Sequence, residues 1–499
     1  MPNSDSLGLS LLARHSLIYG AALVIDRLIG FLLLPILTTG LDQASYGAWA
    51  QIIATFAWLS NILEFGFYHS IMRFIPGRER ATVSRVLHGM LAILVLNGVV
   101  FVALASVIPG LLSQLVFATT AFSGIIPLVA LFIVSECLFE FLGIAFLRAD
   151  GRIAICSAYY VIKNVLRFAL LWQGTSAGAD LDGLLLRLIV GNGVLICVAY
   201  AVNIAPTVEI AARGLGRPFW RGVIGYSSGI VASGSLAWAN AMLNRFLIVH
   251  FLGLAALATY AVNFSIASVA GAVSLVLTFT VTPLLNAAWA RGNKDEVRRL
   301  LETASKFYLY ATVPAAIAIG LCYLPIVHLF TSPQYITSPP VIWLLLATVV
   351  LFGFEQLLSF ATILDSPRFN VWTRSAALVL NLGLCWVLLT KLGILAAVIA
   401  ALAATLTVIV LSVLFLQRDV QYSLPFGAML RIGVAGVAMA GAGWATGRLF
   451  GSGLPGVIAT CAVSAVVYVG VEATGSGSTT RALLTMTRDG FLRSMKDVA

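Results

Sequence analysis

Hydrophobic residues along this chain come in long runs, without the alternation that marks β-strands. An α-helix needs about 20 apolar residues to cross roughly 30 Å of hydrocarbon. Runs of that length recur from residue 12 to residue 473, separated by short connections. The pattern predicts fourteen transmembrane helices, at 12–39, 45–71, 86–108, 123–147, 153–173, 184–206, 222–250, 257–286, 306–330, 340–364, 371–389, 392–416, 427–449 and 455–473.

Composition and charge support an all-α integral membrane protein. Of the 499 residues, 60% are hydrophobic and 10% are charged, which leaves too little polar surface to coat soluble domains. The net charge of +10 could indicate nucleic acid binding, but most cations lie in alternate connections between the spans. By the positive-inside rule, this asymmetry places the N- and C-termini in the cytoplasm.

The sequence also argues against an enzyme. The predicted outer connections are short, and the chain shows no Ser/His/Asp or metal-ligand cluster. We therefore expect neither catalytic residues nor a bound metal. The six cysteines all fall in apolar stretches without C-x-x-C spacing, so we expect them to be packing residues and not disulfides.

Apart from charges near the span ends, which we count with the connections, ten charged residues fall inside the predicted spans. At roughly 2.5–3.5 kcal/mol each, exposing all ten to lipid would cost on the order of 25–35 kcal/mol. They must therefore face one another or water. The ten are Asp26, Arg27, Glu64, Glu136, Glu140, Lys163, Arg167, Arg187, Arg245 and Glu355.

The fourth and fifth spans carry complementary charges. Glu136 and Glu140 stand four residues apart on one helix, and Lys163 and Arg167 stand four apart on the next. Counted from the turn at Asp150, Glu136 lies about 21 Å deep and Lys163 about 20 Å, so the two are level. Two interpretations stay open: a structural ion-pair clamp that fixes the register of the hairpin, or charges that line a cavity.

Polar stripes mark several other spans. Such stripes either allow close helix packing or line a wet cavity, and the pattern does not decide between these. The polar cavity candidates on these stripes are Asn61 on the second span, Asn240 on the seventh and Asn263 on the eighth.

Three carboxyls are candidates for ion coupling. Glu355 has no evident cationic neighbour in the sequence, and Arg27 is the one plausible partner of Glu64. A carboxyl isolated in the membrane is either a proton or sodium carrier or a protonated group hydrogen-bonded in the bundle. Asp26 points about 100° away from Arg27, so it either anchors the first span to a neighbour or carries a proton.

Several stretches resemble a known family. RLIGFLLLPILTTGLDQASYGAWA and LEFGFYHSIMRFIPG are similar to the first two helices of the polysaccharide transport family. This family comprises the O-antigen and exopolysaccharide flippases of the multidrug/oligosaccharidyl-lipid/polysaccharide (MOP) exporter superfamily. LFTSPQYITSPPVIWLLLA, ATILDSPRFNVWTR and LVLNLGLCWVLLTKLGILAAVIAAL resemble its ninth to twelfth helices.

The resemblance implies two pseudo-symmetric six-helix lobes around a central cavity, followed by two C-terminal helices. The implied organisation is a cytoplasmic N-terminal tail at 1–11, an N-lobe at 12–206, a cytoplasmic linker at 207–221, a C-lobe at 222–416, a hairpin at 417–473 and a cytoplasmic tail at 474–499.

The resemblance also implies a function and a site. It implies alternating-access transport of a polyprenyl-pyrophosphate-linked oligosaccharide, an O-antigen (lipopolysaccharide) or exopolysaccharide repeat unit, to the outer leaflet of the bacterial cytoplasmic membrane. Arg27 and Arg245 match basic positions of the family that would hold the pyrophosphate, although Asn244 replaces the usual acid before Arg245. Lys163, Arg167 and Arg187 are further cavity candidates.

We expect no cofactor, with coupling to a proton or sodium gradient left open. We expect a monomer whose partners are the lipid-linked substrate, membrane lipids and enzymes of glycan assembly such as a polymerase and glycosyltransferases, with no nucleic acid. The alternatives within the superfamily are a lipid II flippase and a multidrug/cation antiporter. A membrane enzyme that polymerises or ligates glycans is a remote alternative.

Overall fold

The structure is a computed structural model that describes residues 22, 25–26, 28–205, 216–451, 453–474 and 479–480. The described residues are helical throughout, with no β-strand among them. The helices are α1 Leu28–Gly40, α2 Gln43–Leu63, α3 Phe67–Phe74, α4 Arg80–Val107, α5 Pro109–Phe117, α6 Ile126–Phe139, α7 Phe146–Ala149, α8 Ile153–Ser176, α9 Leu181–Ala199, α10 Arg217–Leu252, α11 Leu254–Gly271, α12 Val273–Ala290, α13 Lys294–Leu321, α14 Tyr323–Phe330, α15 Pro339–Asp365, α16 Pro367–Leu392, α17 Ile394–Asp419, α18 Phe426–Phe450 and α19 Leu454–Thr474.

The prediction of a multi-pass helical membrane protein is confirmed. The described residues contain 11 helices long and apolar enough to cross a membrane, or 12 if the bent pair α2–α3 forms one span. The first predicted span contributes the shorter apolar helix Leu28–Gly40, and α10 covers the seventh, with Ala241–Leu252 as its apolar stretch. The total of fourteen spans and the orientation of the termini stay predictions.

The second predicted span is broken. Instead of one helix over 45–71, α2 and α3 meet at an angle of 44°. Phe65 and Gly66 adopt left-handed backbone angles there, with φ of 50° and 67°. Such angles cannot continue a right-handed helix and free some carbonyls from their partners. The Asn97 side-chain amide donates to one of these, the oxygen of Leu63, at 3.1 Å.

Three further predicted spans depart from a single regular α-helix. Glu140–Ala145 forms a π-helical turn between α6 and α7, and Tyr200–Ile204 forms another after α9. The predicted eighth span, 257–286, is interrupted at Ala272, where α11 gives way to α12. A π turn inserts one residue into the helix and is frequent at functional sites.

The chain divides into two compact units, the first ending at Ala258 and the second beginning at Thr259. In the first unit α6 packs against α4 and α9, α8 against α9, and α2 against α10. In the second unit α15 packs against α17, α16 against α17, and α13 against α12, α15 and α18. The division falls after α10, whereas the resemblance implies a C-lobe that begins at residue 222.

α10 belongs to the first unit because its side chains pack along α2 and α3. The Trp238 indole donates to the carbonyl of Ala54 at 2.8 Å, and its ring stacks on Trp58 with centroids 5.1 Å apart. Further along, the buried hydroxyls of Ser70 and Ser227 are 2.7 Å apart. Aromatic stacking and buried hydrogen bonds together hold this seam.

Candidate functional site

The four charges of the fourth and fifth predicted spans meet inside the first unit. Lys163 Nζ lies 2.8 Å from Glu136 Oε2 and 2.7 Å from Glu140 Oε1. The side chains of Glu136 and Lys163 are only 2% and 6% exposed. The Asn192 amide on α9 donates to Glu136 Oε1 at 2.9 Å. Each buried carboxylate therefore has a charged or hydrogen-bonding partner, which low-dielectric surroundings require.

The local helix geometry positions these groups. Glu136 lies on α6, and Glu140 begins the π turn that follows it. α8 returns antiparallel after the turn at Asp150–Gly151 and presents Lys163 to both carboxylates. Phe139 closes the other side of the ammonium group, with its ring centroid 4.7 Å from Nζ, so an aromatic face takes the place of water.

Arg167 is less completely paired. Its Nη2 is 3.7 Å from Glu136 Oε1, too far for a hydrogen bond. Its Nε and Nη2 are buried and find no hydrogen-bond partner among the described groups. Trp49 and Phe132 lie 5.9 and 6.0 Å from the guanidinium carbon. Arg167 therefore keeps N–H donors that protein atoms do not fill.

A small cavity adjoins these open donors. Its volume of about 10 Å³ is close to the minimum that accommodates one water molecule. The side chain of Arg167 is 21% exposed, so the guanidinium is not sealed from its surroundings. The cavity is lined by Glu136, Lys163, Leu166, Arg167, Leu170, Leu188, Gly191 and Asn192.

Glu64 lies beside the same cluster, at the break between α2 and α3. It is 5% exposed, and the Cys137 thiol is hydrogen-bonded to it. Glu140 and Lys163 are its charged neighbours. The described part of this cluster thus brings three carboxyls together with the two cations Lys163 and Arg167.

The interpretation of Glu355 as an isolated carboxyl is wrong. Arg374 Nη2 lies 2.9 Å from Glu355 Oε1, and the Ser359 hydroxyl donates to the same oxygen at 2.8 Å. Arg374 also donates from Nε to Asn370 Oδ1 at 3.2 Å. The sequence places Arg374 near the cytoplasmic end of a span, but α15 and α16 form a hairpin at Ser366 that brings it level with Glu355.

The other cation candidates are Arg187, Arg245 and Arg27. Arg187 donates from Nη1 to the carbonyl of Gly183 at 3.0 Å, near the start of α9, and does not line the cavity. Arg245 lies half-buried on α10. Arg27 lies outside the described residues.

The polar candidates also occupy separate places. Asn263 is 1% exposed and saturated: it donates to the carbonyls of Thr259 and Tyr335 at 2.8 and 2.9 Å and accepts from the Tyr323 hydroxyl at 2.7 Å. Its amide therefore joins α11 to the segment around Tyr335. Asn61 lies on α2 facing Gly234 of α10.

Asp26 and Asn240 are the two remaining candidates. Asp26 is a half-buried helical residue that precedes α1. The side chain of Asn240 lies outside the described residues.

Sequence reasoning missed Asn192, Arg374 and Cys137 as members of these clusters. Arg374 could have been found by the depth count that paired Glu136 with Lys163. Asn192 and Cys137 meet their partners across different helical hairpins, and the register between hairpins leaves no trace in sequence spacing.

Comparison with known proteins defines the class. The chain is similar to the lipid II flippase MurJ in an inward closed conformation, with a TM-score of 0.70 and 14% identity over 92% of this chain and 98% of that chain. It is also similar to an inward-facing multidrug resistance MATE family transporter of the MOP superfamily, with a TM-score of 0.66 and 15% identity over 81% and 98% of the two chains. The MATE multidrug transporter DinF-BH gives a TM-score of 0.60 and 13% identity over 82% and 95%.

The chain therefore has the fold of these transporters. Within that class, residues 12–114 match the model of the family described as "Polysaccharide biosynthesis protein". No curated protein sequence matches the chain at a significant level. The expected resemblance to the MOP exporters is confirmed for the fold, and the match to the polysaccharide family covers residues 12–114.

Proposed function

We propose that the chain is a flippase of the bacterial cytoplasmic membrane. Its substrate is a polyprenyl-pyrophosphate-linked oligosaccharide, the repeat unit of an O-antigen or exopolysaccharide, which it moves from the inner to the outer leaflet by alternating access. Two findings support this: the transporter fold, and the polysaccharide-biosynthesis match over 12–114, which includes Arg27. A glycan polymerase and glycosyltransferases are the partners that such a substrate requires.

The main support for the proposal is that Arg167 keeps buried N–H donors without a hydrogen-bond partner among the described groups. Glu136 and Glu140 engage Lys163 closely, while the buried Nε and Nη2 of Arg167 keep open donors beside a small cavity. A guanidinium binds phosphate oxygens through charge-assisted, often bidentate hydrogen bonds. We assign Arg167, together with Arg27, to the pyrophosphate of the substrate.

The cluster also offers a route to ion coupling. Glu64 adds a third carboxyl to the pairs formed by Glu136 and Glu140 with Lys163 and Arg167. Two carboxylates buried side by side repel each other. Binding a proton or a sodium ion to one of them therefore costs less electrostatic free energy than leaving both charged. We propose that Glu64 is the coupling site and that a proton or sodium gradient drives transport.

The test is export in a strain that lacks this protein. Arg27→Ala and Arg167→Ala should each leave the protein in the membrane but abolish surface glycan, and lipid-linked repeat units should accumulate inside. Arg187→Ala is the matched control, because Arg187 is bonded to its own helix and should retain export. Normal surface glycan with both Arg27→Ala and Arg167→Ala would contradict the phosphate assignment.

A lipid II flippase is the second candidate. The similarity to MurJ covers 92% of the chain, against 81% for the MATE transporter, so it extends over more of the chain. Rescue of growth in cells depleted of their lipid II flippase, without any effect on surface polysaccharide, would favour this candidate over the first.

A further inference from the structure

Two cysteines in the second unit come into contact although 139 positions separate them in the sequence. The Sγ atoms of Cys322 and Cys461 are 3.6 Å apart. Cys322 caps the end of α13, and Cys461 is the eighth residue of α19. We propose that these two thiols form an oxidisable pair that can close into a disulfide and link α13 to α19.

Two of the other cysteines contact oxygen atoms. Cys385 contacts the side chain of Asn381 on its own helix, and Cys156 contacts the carbonyl of Ile144. A disulfide bond is about 2.05 Å long, so Cys322 and Cys461 must approach by about 1.5 Å, within the reach of side-chain rotation. Side-chain rotation alone would therefore bring the two sulfur atoms of this contact to bonding distance.

Access for a reagent comes from an adjoining apolar cavity. Cys322 is 4% exposed, but Cys461 lines a cavity of about 330 Å³ between α13, α18 and α19. Met439, Tyr310 and Tyr468 also line it. Because the lining is mostly apolar, the oxidant that can reach Cys461 is a small, membrane-soluble disulfide.

The predicted orientation puts the pair on the oxidising side. With both termini in the cytoplasm, α13 ends and α19 begins at the outer face, where disulfides form and persist. One thiol loses its proton and attacks the external disulfide, which forms a mixed disulfide and releases one thiol. The second cysteine thiolate then displaces the other half. Two cysteine thiols become one disulfide, and the reagent is reduced to two thiols.

The test uses the full-length protein in membrane vesicles treated with 2,2′-dithiodipyridine. Cys322 and Cys461 should lose two hydrogens and keep no pyridyl adduct, and peptide mapping should recover the linked peptides. In Cys322→Ser, Cys461 should instead retain a pyridyl adduct, because no second thiol can displace it. Cys385→Ser is the matched control and should form the link as the wild type does.

The same experiment can overturn the proposal. Stable pyridyl adducts on both Cys322 and Cys461 of the wild type, or two unreacted thiols at these positions, would show that the pair does not close. A disulfide from either residue to a different cysteine would do the same. Because the decisive result comes from the wild type, it does not depend on how well a variant folds.

Discussion

At the scale of single residues, buried opposite charges organise both units of the protein. Lys163 joins Glu136 and Glu140 in the first unit, and Arg374 joins Glu355 in the second. In each case an acid on one helix of an antiparallel hairpin meets a base on the next. Such pairs gain little net stability over apolar packing, but losing one partner leaves an uncompensated charge.

Removal of Lys163 tests this directly. Lys163→Met should destabilise the protein by about 3–5 kcal/mol, because Glu136 and Glu140 would lose their close cation. The double variant Lys163→Met/Glu136→Gln should recover part of that loss. Thermal unfolding in detergent measures both, and Lys391→Met at an exposed position is the matched control. Additive losses would argue against a clamp.

Part of this arrangement could be predicted from the sequence. The turn at Asp150 gives Glu136 and Lys163 similar depths, and the turn at Ser366 gives Glu355 about 16 Å and Arg374 about 12 Å by the same count. Contacts within a hairpin are therefore readable from spacing. The contact of Asn192 with Glu136 joins two hairpins whose relative register depends on tertiary packing, so spacing could not reveal it.

At the scale of elements, the helices are regular except at breaks that hydropathy does not reveal. Hydropathy predicts a single span over 45–71, yet the chain turns by 44° at Phe65 and Gly66. A hydropathy pattern records which residues prefer lipid, whereas a left-handed residue or a π turn reflects a few backbone angles. Gly66 gives a clue only in retrospect, since many glycines in the chain lie inside unbroken helices.

A pair of glycine substitutions separates backbone strain from packing. Gly66 and Gly77 both have positive φ, 67° and 74°. A Cβ on Gly66 would lie 3.0 Å from the carbonyl oxygen of Ser227, whereas a Cβ on Gly77 would have no atom within 4 Å. Both Ala variants should lose about 1–2 kcal/mol from the left-handed backbone.

Gly66→Ala should lose more than Gly77→Ala, because it also pushes α10 away from the break. Unfolding temperatures of the two variants, measured side by side in the same detergent, give the comparison. Equal losses would show that the close approach of Ser227 to Gly66 carries no energetic weight.

At the scale of the whole molecule, the fold class followed from hydropathy and charge, and the resemblance to the fold of the MOP exporters followed from the order of weak motifs. The division at Ala258 was not foreseen, because the packing of Trp238 and Ser227 against α2 and α3 assigns α10 to the first unit. An apolar helix face does not record in its sequence which neighbour it will contact.

The central claim is that this chain moves a pyrophosphate-linked glycan across the bilayer with the help of Arg167. The most direct measurement uses vesicles containing the purified protein, with a proton or sodium gradient across the membrane and a polyprenyl-pyrophosphate oligosaccharide in the inner leaflet. A membrane-impermeant glycosidase outside then reports its arrival in the outer leaflet. Wild type and Lys391→Met should expose the glycan, and Arg167→Ala should not. Exposure no faster than in protein-free vesicles, or equally fast with Arg167→Ala, would contradict the claim.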